Sequence, residues 1–118
     1  MTKTYKDLIV WQKSVDLVVK TYQLTDKFPK EEIYGITSQI RRSAVSIPSN
    51  IAEGKLRDSN KEFNRFLLIA FGSGGELETQ LEISKRLNKT KDLNYTEVDS
   101  LLAEVMRMLN KMLSNTNA

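Results

Sequence analysis

Apolar residues recur at helical spacing through Ile33, Ile36, Ile40, Ala44, Ile47 and Ile51, and the rhythm persists across two adjacent arginines and a proline. Pro48 lacks the N–H that would bond the Ala44 carbonyl, a loss of about 3 kcal/mol in an unadapted helix interior. A kink near residues 44–48 is therefore expected. Ser46, Ser49 and Asn50 surround it and could satisfy the freed backbone groups. On the other reading, the kink exposes Ser49, Asn50 and Glu53 as a polar notch for a ligand.

Comparable periodicity elsewhere predicts an all-α protein of four helices over about residues 6–26, 30–56, 60–89 and 96–113. On the first, Leu8, Trp11, Val15, Val18 or Val19, and Tyr22 form one face. Pro29 opens the second, with Glu31 and Glu32 near the positive end of its dipole. Ser59-x-x-Glu62 is a capping box for the third. The inward face of that helix takes Phe63, Phe66, Leu67, Ala70, Gly74, Leu77, Leu81 and Ser84. A second stripe of Leu68, Ile69, Phe71 and Ile83 suggests a central position or a subunit contact. Thr96 and Asp99 start the fourth helix, on which Val98, Leu101, Leu102, Val105, Met108, Leu109 and Met112 recur. The polar tail 114–118 is expected to fray.

At 118 residues there is room for one domain with one core. Neither histidine nor cysteine occurs. That excludes imidazole and thiolate metal sites, Ser-His and Cys-His nucleophile pairs, and disulfides, and no Gly-rich phosphate loop is present. An enzyme would need a carboxylate or lysine site, so a non-enzymatic role without cofactor or metal is expected. No segment reads as spanning a membrane and the N-terminal residues carry no secretory pattern, which points to the cytoplasm.

The net charge is +3, and the basic surplus lies in residues 1–30, where six Lys face three acids. In a monomer so small an excess serves solubility, whereas five copies would multiply it into a field that RNA could feel. Lys55, Arg57, Lys61 and Arg65 gather around one turn as the best local basic patch, diluted by Asp58 and Glu62. The patch is either a solvated helix end or a phosphate contact.

Short loops make consecutive helices antiparallel. Reflection about Asp58 then sets Ala44 against Gly72 and Ser43 against Ser73. Three glycines in Gly72-Ser-Gly-Gly75 cost the third helix up to about 1 kcal/mol each relative to alanine, and close approach to the second helix would offset this. The same register sets Arg41 and Arg42 level with Glu76 and near Glu78. These arginines are either a structural ion pair or a phosphate clamp. Trp11 comes level with Ser46 and Ile47 and would cover the kink.

The segments Leu8-Ile-Val-Trp-Gln-Lys13, Phe28-Pro-Lys-Glu-Glu-Ile-Tyr-Gly35, Gln39 to Gly54, Glu62-Phe-Asn-Arg-Phe-Leu67 and Gly72-Ser-Gly-Gly-Glu-Leu77 together resemble the bacterial 23S rRNA intervening-sequence proteins. The resemblance covers about residues 5–90, and Trp11, Arg41, Arg42, Pro48, Asn50, Glu53, Gly54 and Glu76 match the family motif. It implies an antiparallel up-down-up-down four-helix bundle assembling as a homopentameric ring. A related branch, the accessory variability determinant of diversity-generating retroelements, is a basic pentamer that binds reverse transcriptase and nucleic acid. The resemblance thus implies a homo-oligomeric accessory protein associated with RNA or the ribosome. The alternative is a scaffold for a protein partner such as a polymerase.

Overall fold

The computed structural model describes residues 4–116. It is all-α, with four long helices: α1 Ile9–Thr25, α2 Ile36–Leu56, α3 Asn60–Arg86 and α4 Thr96–Thr116. They pack in the cycle α1 on α2, α2 on α3, α3 on α4 and α4 on α1, giving a body of 47 × 26 × 22 Å. Among the described residues no helix is long and apolar enough to cross a membrane.

Each helix buries a seam at spacings of three and four, the pattern that keeps one stripe turned toward its neighbours. On α1 the buried seam is Val10, Ser14, Leu17, Thr21 and Leu24. This corrects the expected face, for Val19 and Tyr22 are exposed and Leu8, Trp11 and Val18 only flank the core. The seam was hidden by its hydroxyls. Ser14 donates to the Trp11 carbonyl at 2.8 Å and Thr21 to the Leu17 carbonyl at 2.7 Å, so both satisfy themselves on their own helix and act inside as small spacers.

Two 3₁₀ turns precede helices that were expected to be continuous with them. Thr4 and Asp7 form a reciprocal capping box around Tyr5–Asp7, and α1 begins only at Ile9. Pro29 is extended at ψ 143°, Lys30–Glu32 makes a single turn, and Gly35 sits at φ −114°, ψ −119°. These backbone angles lie outside the helical region, so α2 begins at Ile36 rather than at Pro29.

The third helix follows its expected face, burying Phe66, Leu67, Ala70, Ser73, Gly74, Leu77, Leu81 and Ser84. Of its second stripe, Leu68, Ile69 and Ile83 are exposed while Phe71 packs against the core. Ser59 accepts from the Glu62 amide at 3.2 Å, and Glu62 turns its carboxylate to Arg65. The fourth helix buries Val98, Leu102, Val105, Leu109 and Leu113 and extends to Thr116, past the expected end at 113. Of the tail expected to fray, residues 117–118 lie outside the described residues.

Glycines in α2 and α3 do different work from that expected. A Cβ on Gly54 would stand 2.6 Å from the Cβ of Phe66, which makes Gly54 the point of close approach between α2 and α3. A Cβ on Gly74 would collide with Met106 of α4, while a Cβ on Gly72 or Gly75 would meet nothing within 4 Å beyond its own helix backbone. The serine register also differs. The Ser46 and Ser73 hydroxyls share a hydrogen bond of 2.7 Å, so Ser73 meets Ser46, one turn further along α2 than Ser43.

Candidate functional site

Three neighbourhoods hold the candidate residues. The first is the corner between α1 and α2. Arg41 donates through Nε to the Thr25 hydroxyl at 2.8 Å and through Nη2 to Asp26 at 2.9 Å, and its guanidinium lies 4.5 Å from the centre of the Tyr22 ring. The expected pairing of the arginines with Glu76 and Glu78 is therefore corrected. The partners of Arg41 lie on and just after α1, because the two arginines point about 100° apart and α2 presents Arg41 toward that neighbour. Arg42 is exposed and, with Tyr22, Ile33, Thr37 and Val45, lines a shallow groove of about 410 Å³.

Around Pro48 the second neighbourhood is more closed than a notch. Pro48 is buried and α2 continues on both sides of it. The Asn50 amide donates to the Ser46 carbonyl at 2.8 Å and to its hydroxyl at 2.9 Å. Ser46, Asn50 and Ser73 thus form a closed polar chain rather than serving the Ala44 carbonyl. Glu53 faces Arg57 at 3.5 Å and Ser49 is exposed. Trp11 is half-buried and meets the Tyr5 ring edge-on, with centroids 5.3 Å apart and planes at 66°.

The turn from α2 to α3 carries the third. Its four basic residues, Lys55, Arg57, Lys61 and Arg65, are all exposed. Two aromatic rings organise three of them. Arg57 and Arg65 lie 5.2 and 4.4 Å from the centre of the Phe66 ring, and the Lys55 ammonium is 5.5 Å from that of Phe63. A cation over a ring face is held there by the ring quadrupole, typically by about 0.5–1 kcal/mol at exposed sites. Phe66 is buried, and both guanidiniums lie against its ring.

Arg65 also forks onto Glu62, two bonds of 3.1 Å each. Hydrogen bonding to Arg65 lowers the Glu62 pKa, and the same bond raises that of Arg65. Among the described residues no ion pair engages Lys55 or Lys61, so the patch offers two ammonium groups without a carboxylate partner beside two positioned guanidiniums. Neither the Phe63 nor the Phe66 contact was anticipated. Their signal was the spacing of aromatic and basic residues across the turn.

The 23S rRNA-intervening sequence protein profile matches residues 6–111. The chain belongs to that family. Among solved structures, this family member is similar to a protein with unknown function from the S23 ribosomal protein family of Bacteroides thetaiotaomicron VPI-5482. That similarity has a TM-score of 0.73 at 24% identity, over 89% of this chain and 98% of the other. At that identity the likeness speaks to fold. Among curated proteins, none matches the family member.

Proposed function

We propose that this chain is a non-enzymatic accessory protein of the cytoplasm that assembles with copies of itself, as a pentameric ring, and contacts RNA through phosphates at the α2–α3 end of each copy. Its helices run up-down-up-down. Pairings that support this topology are Ser46 with Ser73, Gly54 with Phe66, Lys85 with Asp99, and Lys20 with Glu97, each joining the late part of one helix to the early part of another or the middle to the middle.

The observation that carries the reading is the pair of guanidiniums held on Phe66 beside Lys55 and Lys61. Guanidinium edges match phosphate oxygens, and a floor under the ring of donors removes part of the entropy lost on binding. One such patch is weak because Glu53, Asp58 and Glu62 stand among the cations. Repetition around an assembly would turn weak contacts into a firm one through effective concentration.

The test is binding of the assembled protein to single-stranded and structured rRNA fragments across salt, with a charge-reversed variant K55E/K61E alongside. Affinity should fall steeply with salt, and the variant should bind more weakly with a shallower slope. No binding at low salt would overturn the RNA reading and favour a scaffold for a protein partner. The apolar residues Leu68, Ile69 and Ile83 exposed on α3 supply the observation for that second reading.

A further inference from the structure

Among the described residues, two buried side-chain polar atoms are without a hydrogen-bond partner: Thr37 Oγ1 and Gln80 Oε1. They lie on two different faces of the bundle. Thr37 belongs to the groove between α1 and α2 with Ile33, Arg42 and Val45. Gln80 belongs to a groove along α2 and α3 with Gln39, Gly75, Glu76 and Ile83. Both combine exposed apolar side chains with a charge, and the charges are opposite. Ile33 and Val45 stand 48% and 40% exposed beside Arg42, and Ile83 stands 45% exposed beside Glu76.

The second face has a feature that the isolated chain does not explain. Gly72 and Gly75 each weaken α3 by about 1 kcal/mol relative to alanine. A Cβ at either position would enter open space, so no neighbour within the chain requires glycine there. Whatever offsets the loss lies outside the protomer. A bare stretch of helix flanked by Ile69 and Ile83 is a surface against which another helix can lie closely.

We propose that these faces are the two halves of one contact between copies of this chain, in which the Arg42 face of one copy seats on the Glu76 face of the next. Arg42 reaches the Glu76 carboxylate, and Val45 and Ile33 fill the room left over Gly72 and Gly75. Opposite charges arranged on matching apolar ground give such a contact its register and exclude a two-fold pairing of like faces. Because the faces differ, the contact is heterologous. Because they occupy adjacent sides of the bundle and share α2, each added copy turns relative to the last, the relation a ring requires and a straight fibre lacks. The proposal rests on the self-association put forward above and names its partner surfaces.

The test is solution mass by light scattering for the wild-type chain, R42E, E76R, the double variant R42E/E76R and an equimolar mixture of the two single variants. Both positions are exposed, and circular dichroism checks that every variant folds. Each single variant should fall to the protomer mass. The double variant should reassemble, and the mixture should regain mass above either single variant, since alternating copies pair unlike charges at all but one contact of a five-membered ring. Gly75→Gln, a good helix former at an open position, should also dissociate the assembly while keeping its helicity. A wild-type assembly that survives R42E, E76R and Gly75→Gln would overturn this contact alone. A wild-type chain that is monomeric throughout would overturn self-association with it and leave these faces to a different protein.

Discussion

Arg41 reaches back across the first turn to hold Asp26 at 2.9 Å, with its guanidinium stacked on Tyr22 and its Nε on the Thr25 hydroxyl. It ties the end of α1 to the first turns of α2, and Arg42, its neighbour in sequence, takes no part. The two arginines therefore separate by role.

Arg41→Ala should lower stability by about 1–2 kcal/mol, the sum of a partly exposed ion pair, a cation–π contact and one charge-assisted hydrogen bond to a hydroxyl. Arg41→Lys should recover only part of it, because a lysine cannot stack flat and donate to two acceptors at once. Arg42→Ala, at an exposed position, should stay within about 0.5 kcal/mol. Urea denaturation of the three variants at concentrations where the copies are dissociated reads these differences within the protomer, and a large loss in Arg42→Ala would refute the division.

Gly54 and Gly72 should respond in opposite directions to the same substitution. Gly54→Ala drives a methyl group against the Phe66 Cβ, an atom fixed to the backbone of α3, and overpacking of this kind costs about 1–3 kcal/mol. Gly72→Ala meets nothing and should raise protomer stability by about 1 kcal/mol through helix propensity. Thermal melting under dissociating conditions checks both, and equal signs would contradict the packing described.

Most of the fold was legible in the sequence because the apolar seams of α3 and α4 keep helical spacing without interruption. The seam of α1 was not, since Ser14 and Thr21 look like surface residues until their hydroxyls are seen to bond back to their own helix. The start of α2 was misplaced because Pro29 suits a first helical position equally well as an extended residue before a 3₁₀ turn. Candidate residues were legible as a set but not in their pairing. Reflection about a turn locates a partner to within one helical turn and says nothing of which side of the helix a residue occupies, and that is what separates Arg41 from Arg42.

Alkaline stability should report Tyr95. Its ring is buried and its hydroxyl donates to the Thr90 carbonyl at 2.9 Å; burial pushes the phenol pKa up. The folded state thus favours the protonated form, so the contribution is complete below the unfolded value of about 10 and is lost as pH rises from there through the folded pKa. Tyr95→Phe should cost about 1 kcal/mol at neutral pH and should destabilise less steeply than wild type above about pH 10. Parallel alkaline losses in the two proteins would show that Tyr95 does not titrate with unfolding.

Phosphate contact at the α2–α3 turn is most directly tested by the slope of log affinity against log salt for the assembled protein on single-stranded rRNA. Each neutralised phosphate contributes about −0.7. Engagement of one cation from each of several copies predicts a slope of roughly −3 or steeper, reduced in K55E/K61E. A flat response, or a slope that the charge reversal leaves unchanged, would contradict the account.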